Sequence, residues 1–190
     1  MEIRIYFEGK ATLRNGFETF FADLKTAARE SGSTLALVAA RDGPSDYRKA
    51  SRSHPQAWNI LLKDSEQSMP PNRLQLCQRH GIDSAFVDRV FWMVELMEAW
   101  FLADPEALDD YYGEGFLRNT IRSAANVELL PKATVLTRLK HATRGTSKGE
   151  YHKVRHAPYL LQKLNSGLVR ERAEHCRHLF EAVMARLNQV

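Results

Sequence analysis

Apolar and polar residues follow one another in short blocks along the first part of the chain, and several apolar blocks have the length of strands. Glu2–Phe7 alternates with a period of two, Thr34–Ala40 is almost wholly apolar, and Trp58–Leu62 is apolar except at Asn59. Alternation is typical of a half-buried strand, whereas a short run that is apolar on both faces is typical of a strand inside a parallel sheet. The pattern therefore predicts three strands in this region.

The segments between these blocks have the spacing of helices. Leu13–Glu30 places apolar residues three and four positions apart and ends at Ser31-Gly32-Ser33. A shorter helix is expected over Asp46–Ser53, after the turn residues Arg41-Asp42-Gly43-Pro44. Strands that alternate with helices through short connections predict an α/β fold with a parallel sheet and helices on both of its faces.

The second half of the chain is predicted to be mainly helical. Phe86–Ala103 is nearly all apolar, and we expect a strand to about Met93 followed by a buried helix. Asp104 is placed to cap a further helix with Pro105 at its first position. Later helices are expected over Leu117–Ala125, Ala133–Ala142, His156–Leu164 and Leu168–Leu187. We predict an α/β core over residues 1–104 and a helical C-terminal extension over residues 105–190 packed on it.

Acidic side chains follow two of the predicted strands. Glu8 comes after the first strand, and Asp64 and Glu66 come after the strand that contains Trp58–Leu62. Ligands of parallel sheets bind beyond the carboxyl ends of the strands, and carboxylates brought together there repel one another unless a cation lies between them. This arrangement favours a metal site, and the alternative is that these acids are solvated loop residues.

Glu98 is the acid with the most apolar neighbours. It lies inside Leu96–Leu102, where almost no polar helix face is left. An ionised carboxylate buried without a partner costs several kcal/mol, so Glu98 needs a cation, capping donors or a metal. A structural ion pair and a metal ligand are both consistent with this position.

The chain is mildly basic, with a net charge of +4 and a pI of about 9.1. Much of the positive charge is concentrated in Arg138–His156, a stretch that also contains flexible glycines. Such a stretch suits contact with a phosphate backbone. A solvated basic face is the alternative.

Several classes of protein receive no support. Cys77 and Cys176 stand alone, which predicts reduced thiols in a cytoplasmic protein. The N-terminus lacks the pattern of a signal peptide, and the longest apolar stretch contains glutamates and is too short to span a membrane. His152 and His156 have no further ligand at zinc spacing, and motifs of nucleotide hydrolases and esterases do not occur.

Several segments together resemble a bacterial family catalogued only as a domain of unknown function and regarded as Toprim-like. They are Phe7-Glu8-Gly9, the strand end at 62–66, Met93–Asp104 with its Met-Glu-Ala-Trp-Phe-Leu-Ala-Asp run, and the tail at Lys132-Ala133, 142–144 and 148–157. The resemblance covers nearly the whole chain. It extends to the Toprim nucleases of the overcoming-lysogenization-defect type and implies a Toprim-like core.

The resemblance also implies a function and a set of site residues. Toprim domains hold Mg²⁺ for phosphodiester chemistry with a glutamate after the first strand and an acidic pair after a later one. By resemblance, the catalytic and metal-binding residues are Glu8, Asp64, Glu66 and Glu98, with Mg²⁺ or Mn²⁺ as cofactor. Together with the basic stretch, the resemblance implies contacts with DNA or RNA. The residues concerned are Lys63, Arg144, Lys148, Lys153 and Arg155. The resemblance further implies an ATPase partner in a phage-defence or toxin system.

Two departures from the family pattern leave other functions open. The family usually has a glycine-rich turn after the first strand, whereas this chain has Glu8-Gly9-Lys10-Ala11-Thr12. Lys63 precedes Asp64 where an acidic motif is usual, which implies either a phosphate contact or a weaker metal site. The alternatives to a nuclease are a non-catalytic interaction subunit and a plain nucleic-acid-binding module.

Overall fold

The computed structural model describes residues 1–121 and 124–189, and its centre is a parallel sheet of four strands in the order β2-β1-β3-β4. The strands are β1 (Glu2–Glu8), β2 (Thr34–Ala40), β3 (Trp58–Asp64) and β4 (Val90–Met93). Strands β1 and β3 lie in the middle and contribute side chains to cores on both faces of the sheet. The continuous apolar run of β3 predicts this burial, whereas β1 is more buried than its alternating pattern predicts. The predicted α/β fold with a parallel sheet is confirmed.

Helices occupy much of the rest of the chain. They are α1 (Arg14–Phe20), α2 (Ala22–Glu30), α3 (Pro44–Ser53), α4 (Arg73–Arg79), α5 (Ala99–Ala103), α6 (Pro105–Tyr112), α7 (Lys132–Thr143), α8 (Lys153–Lys163), α9 (Ser166–Arg172) and α10 (Glu174–Leu187). Short 3₁₀ turns lie at Ala11–Leu13, Ser84–Arg89, Arg118–Thr120 and Val127–Leu129. No helix in residues 1–121 and 124–189 combines the length and the apolar character that a membrane crossing requires.

Successive side chains of the central strands enter two different cores. Phe7 and Leu62 belong to a large core that also contains side chains of α1, α2, α8 and α10. Tyr6 and Leu61 point the other way, into a smaller core with Tyr47 of α3 and side chains of α4. The sheet thus has helices on both faces, as predicted.

The C-terminal helices pack directly on the sheet layer. α8 lies against α1, and α10 contacts both β4 and α2. The large core continues without interruption into these helices. The division into units 1–104 and 105–190 stays a prediction, but its boundary coincides with the end of α5. Asp104 caps α6 as predicted, since its side chain accepts a hydrogen bond from the Ala107 N–H at 3.1 Å.

The strand that was expected from Phe86 begins later, at Val90. Residues Ser84–Arg89 form a 3₁₀ turn instead, with Asp83 as its cap: the carboxylate accepts a hydrogen bond from the Ala85 N–H at 2.9 Å. A single residue, Phe21, likewise leaves the helical region and divides the expected helix Leu13–Glu30 into α1 and α2. At Ser84–Arg89 the hydrogen bond to Asp83 therefore overrides the apolar pattern that predicts a strand.

The C-terminal helix expected over Leu168–Leu187 is interrupted at Ala173. This residue is extended, fully buried, and follows Arg172, whose guanidinium donates a hydrogen bond to the Ala103 carbonyl at 2.9 Å. Docking against α5 thus breaks the helix where the sequence has no glycine or proline. The helix expected over Leu117–Ala125 is a 3₁₀ turn at Arg118–Thr120 in its described part, and residues 122–123 lie outside the described residues.

Candidate active site

The predicted acids come to the carboxyl-end edge of the sheet. Glu8 is the last residue of β1 and Asp64 the last residue of the adjacent β3. The pairing Phe7 with Leu62 makes Lys63, not Asp64, the strand neighbour of Glu8. Because side chains alternate along strands, Glu8 leaves β1 on the side of the smaller core and Asp64 leaves β3 on the side of the larger one.

Asp64 and Glu98 share one cation. The Lys153 Nζ lies 3.3 Å from Asp64 Oδ2 and 3.3 Å from Glu98 Oε2, so these two oxygens are separated by at most twice that distance. Both acids are buried, with relative exposures of 8% for Asp64 and 1% for Glu98, whereas the side chain of Lys153 is half exposed at the start of α8. Carboxylates from two separate elements therefore face a single positive charge.

The remaining oxygens of this pair are satisfied by fixed donors. The Met97 N–H donates to Asp64 Oδ1 at 2.8 Å, and the Tyr151 hydroxyl donates to Glu98 Oε1 at 3.0 Å. These bonds leave Asp64 Oδ2 and Glu98 Oε2 directed at the ammonium group of Lys153. The pair is thus held rigidly by its surroundings and directs one oxygen of each carboxylate towards the same point.

Two linked turns position Asp64 and Glu98. The turn residues Glu66 and Glu95 both adopt left-handed backbone conformations, with φ of 60° and 58°. The turns are joined because the Glu66 N–H donates to the Glu95 carbonyl at 3.0 Å and the Glu95 N–H donates to the buried Ser65 Oγ at 2.7 Å. Positive φ in non-glycine residues is uncommon and is concentrated at functional sites. This arrangement directs the Met97 N–H at Asp64 and places Glu98 immediately before the first residue of α5.

Glu66 is engaged on the rim of the site by a different lysine. Its carboxylate contacts the Lys132 ammonium, while the Lys132 backbone N–H donates to Glu95 Oε2 at 3.0 Å. Burial opposes ionisation of Glu66, but the hydrogen bond and charge of Lys132 outweigh it and lower the pKa of this carboxyl. Glu66 and Glu95 therefore both bind the first residue of α7, at a helix N-terminus where negative charge is favoured.

Glu8 is also paired. Its Oε1 lies 2.6 Å from the Nζ of Lys63, a lysine that is only 6% exposed. The same oxygen faces Gly43 at the start of α3, where an added Cβ would lie 3.2 Å away. Lys63, predicted as a nucleic-acid contact, is therefore buried against Glu8.

The titration properties of the pair follow from burial. Desolvation raises the pKa of Asp64 to about 6; the Lys153 charge opposes this increase and the Glu98 charge adds to it. Burial also lowers the pKa of Lys153, but the charges of Asp64 and Glu98 raise it by more. Burial and the nearby Glu98 raise the pKa of Tyr151, so its hydroxyl keeps the proton that it donates to Glu98.

The donor chemistry of Asp64 and Glu98 fits a hard divalent cation. Mg²⁺ prefers carboxylate oxygens, takes one or two from the protein and keeps several waters. Within residues 1–121 and 124–189 the structure has no group of three or more His, Cys, Asp or Glu side chains arranged to hold a metal. Of the predicted ligands, the structure thus brings together the pair Asp64 and Glu98, while Glu8 and Glu66 contact Lys63 and Lys132.

A cavity of about 470 Å³ opens beside the pair and has a basic wall. Its charged lining consists of Asp64, Glu98, Lys132, Lys140, Glu150, Lys153 and Arg155. Lys153 and Arg155 were predicted as nucleic-acid contacts and do line this cavity. Arg144 and Lys148 do not: Arg144 is exposed at the end of α7, and Lys148 lies over the Tyr111 ring.

The sequence interpretation missed three residues of this site. Lys132 and Lys140 line the cavity from α7, and Tyr151 reaches Glu98 from the segment before α8. Lys132 and Tyr151 both lie in segments that carry the family resemblance, which was the available signal. Their roles depend on contacts with Glu66 and Glu98, which are far away in the sequence.

A larger cleft of about 720 Å³ at the other end of α5 is lined by structural contacts instead. Asp104 uses one carboxylate oxygen to cap α6 and accepts a hydrogen bond from the Asn165 N–H at 2.9 Å with the other. Arg172 is bound to the Ala103 carbonyl. These groups hold α5, α6 and α9 together, so the smaller cavity beside Asp64 and Glu98 is the candidate site.

Comparison with known proteins gives one structural match and one family. The fold is similar to that of the C-terminal region of the Burkholderia pseudomallei OLD protein, with a TM-score of 0.50 and 12% sequence identity over 97% of this chain and 98% of that one. No curated protein matches the chain. A family model for a domain of unknown function, DUF4276, matches residues 10–184. The chain therefore belongs to the DUF4276 family.

Proposed function

We propose that this protein is a Mg²⁺- or Mn²⁺-dependent nuclease that hydrolyses phosphodiester bonds in DNA or RNA. The observation that carries this proposal is the pair Asp64 and Glu98, two buried carboxylates directed at one cation position beside a basic cavity. The similarity of the fold to the C-terminal region of an OLD protein and the Toprim-like resemblance of the sequence support it.

The carboxylate pair supplies the metal ligands. Asp64 Oδ2 and Glu98 Oε2 would hold the ion, while the Met97 N–H and the Tyr151 hydroxyl keep both carboxylates in place. A bound divalent ion would supply an activated water and stabilisation of charge on the attacking and leaving oxygens. Glu8 and Glu66 can join this set only by leaving Lys63 and Lys132.

The lysines of the cavity provide the phosphate contacts. Arg155 lines the wall next to the acidic pair and has no salt-bridge partner among the described residues, so it is free to neutralise a backbone phosphate. Lys132 and Lys140 also line this wall, but they are paired with Glu66 and Glu150 and would have to exchange these partners for phosphate. Lys153 contributes in a different way, because its ammonium now lies where the acids would hold an ion. Its half-exposed side chain at the start of α8 can turn outward to a phosphate, which frees both carboxylates.

Cleavage of a labelled substrate panel tests this function. Single-stranded and duplex DNA and RNA are incubated with Mg²⁺ or Mn²⁺ and with Asp64→Asn, Glu98→Gln or the control Glu114→Gln, an exposed acid outside the cavity. Loss of a Lewis-acid contribution worth several kcal/mol should slow both site variants by about a hundredfold or more. Unchanged cleavage by folded Asp64→Asn and Glu98→Gln would exclude the assignment.

A non-catalytic nucleic-acid-binding or interaction subunit is the second candidate. It is favoured by the fact that each of the predicted ligands contacts a lysine, namely Glu8 with Lys63, Glu66 with Lys132, and Asp64 and Glu98 with Lys153. Ammonium groups then perform the role of a metal permanently. This function predicts salt-sensitive binding to nucleic acid without uptake of Mg²⁺ or Mn²⁺, which calorimetry measures.

The family resemblance also supports an ATPase partner in a phage-defence or toxin system. We propose that such a partner increases the activity further, by adding to the release of Lys153 that a substrate phosphate causes. Co-expression with an ATPase encoded beside the gene, followed by the cleavage assay with and without ATP, tests this. Cleavage that is independent of the ATPase and of ATP would contradict it.

A further inference from the structure

An aromatic layer lies on the outer side of α6 and α8. The rings of Tyr111 and Tyr159 are nearly parallel, with an interplanar angle of 14° and a centroid separation of 6.3 Å. Tyr159 is 57% exposed, whereas the neighbouring Tyr111 is half-buried. An exposed aromatic ring that packs beside a second, nearly parallel ring offers a π-surface to a ligand.

The base of this layer is rigid. The buried Tyr112 hydroxyl lies 2.9 Å from the Nδ1 of buried His156, which also accepts a hydrogen bond from the His152 N–H at 3.1 Å. Burial and the charges of Arg155, His152 and Lys148 lower the pKa of His156, so the imidazole stays neutral as an acceptor. Tyr111 packs on both Tyr112 and His156.

Three cations lie near the two rings. Lys148 Nζ lies 5.1 Å from the centroid of Tyr111, and Arg155 and Lys163 lie four residues before and after Tyr159 on α8, hence close to its helix face. All three are exposed, and none has a salt-bridge partner within the part of the chain that the structure describes. An isolated exposed tyrosine is ordinary, but an exposed tyrosine with unpaired cations on the same helix face and on the neighbouring ring has the combination of features that binds single-stranded nucleic acid.

This layer is continuous with the candidate active site. Arg155 lines the cavity that contains Asp64 and Glu98, and its charge also acts on Tyr111 and Tyr112. Because Tyr159 lies one helical turn after Arg155 on α8, a strand that leaves the cavity along Arg155 can reach the Tyr159 ring. The rings of base pairs within a duplex are already covered on both sides, so only an unpaired base can stack there.

We propose that Tyr159, packed beside Tyr111, stacks an unpaired base of a single-stranded nucleic acid whose phosphates contact Lys148, Arg155 and Lys163. This inference rests on the proposed function, and it adds that the substrate is single-stranded where it leaves the cavity. Base–aromatic stacking tolerates any base, so the contact provides strand selectivity without sequence selectivity.

Binding without metal separates this contact from catalysis. Labelled single strands and their duplexes are titrated in EDTA against the wild type, Tyr159→Ala, Tyr159→Phe and Leu129→Ala, an exposed apolar residue outside the layer. Tyr159→Ala should bind single strands about tenfold more weakly, while Tyr159→Phe and Leu129→Ala keep wild-type affinity. Equal affinity of Tyr159→Ala and the wild type, or equally tight binding of duplex by the wild type, would overturn the proposal.

A second titration identifies the contact itself. Oligonucleotides with one abasic position should lose affinity for the wild type at one position of the strand and lose none there for Tyr159→Ala, because the two changes remove the same stacking contact. The same loss for both proteins at every position would overturn the contact. If Tyr159→Ala weakens binding but no metal supports cleavage, the nuclease function is wrong and the stacking contact of Tyr159 is supported. If the wild type cleaves but Tyr159→Ala binds normally, the nuclease function is supported and the stacking contact is wrong.

Discussion

Asp64 at the end of β3 and Glu98 at the start of α5 direct one oxygen each at the ammonium group of Lys153, at the same distance of 3.3 Å. Two buried carboxylates that are both in contact with one ammonium group lie close together, and they would repel each other strongly without that cation. Lys153 therefore determines both the stability of the site and its access to a metal ion.

Removal of this cation should strengthen metal binding. In Lys153→Met the carboxylates of Asp64 and Glu98 have no ammonium to exchange for an ion, so Mn²⁺ affinity in the absence of nucleic acid should rise about five- to tenfold. Isothermal titration calorimetry measures this, with Lys49→Met as a control at an exposed lysine of α3. Weaker Mn²⁺ binding by Lys153→Met would show that the lysine does not compete with the ion.

The raised pKa of Asp64 predicts how stability depends on pH. Its value of about 6 in the folded protein lies above the unfolded value of about 3.9, so the folded state binds more protons between these values and stability falls as the pH rises through them. The loss is about 2–3 kcal/mol and is complete above about pH 7. Urea unfolding between pH 4 and 8 should show this fall in the wild type.

The matched variant is Asp64→Asn, which keeps an acceptor for the Met97 N–H but does not titrate. Its stability should fall less between pH 4 and 7 than that of the wild type. Addition of Mg²⁺ at pH 7.5 should stabilise the wild type and leave Asp64→Asn unchanged, since a bound ion favours the ionised carboxylate. Parallel pH profiles of the two proteins would contradict the assignment to Asp64.

The Tyr151 hydroxyl should contribute to stability through Glu98. Tyr151→Phe removes the donor at 3.0 Å and leaves a buried carboxylate oxygen of Glu98 unsatisfied, which should cost about 1.5–3 kcal/mol of unfolding free energy. The double variant Tyr151→Phe/Glu98→Gln should lose less than the sum of the single changes. Additive losses in urea unfolding would indicate that the hydroxyl acts on another group.

The ion pair of Lys63 and Glu8 should behave as a coupled structural unit in the metal-free protein. Lys63→Met leaves Glu8 partly buried without its partner and should destabilise the fold by about 1–3 kcal/mol. Glu8→Gln in the same chain should recover part of this loss, which a double-mutant cycle of urea midpoints measures. If Glu8→Gln instead adds to the loss from Lys63→Met, the two side chains do not depend on each other.

The sequence was sufficient to locate the first three strands and to place Glu8 and Asp64 at the carboxyl ends of two of them. The apolar run Trp58–Leu62 is β3, and Asp64 lies at its carboxyl end because such a run ends where the chain leaves the sheet. The buried position of Glu98 also follows from its apolar neighbours. The end of a strand and the burial of one side chain depend on neighbouring residues in the sequence, so a local pattern can predict them.

The pairing of the acids depends on contacts that no local pattern contains. Glu8 lies beside Lys63 because of the register between β1 and β3, and Lys153 reaches Asp64 because α8 packs on α1. Helix α4 was missed although Asn72 caps it, since its short apolar pattern is interrupted by charged and amide side chains. Tertiary packing decides each of these features.

The central claim is that Asp64 and Glu98 together hold a divalent cation. Crystals grown with a single-stranded oligonucleotide and Mn²⁺, measured for anomalous scattering at the manganese edge, test it most directly. We predict a peak bonded to oxygens of both carboxylates at about 2.0–2.3 Å, with the Lys153 ammonium displaced towards a phosphate. A map with no manganese between Asp64 and Glu98, and with Lys153 still bridging them, would contradict the account.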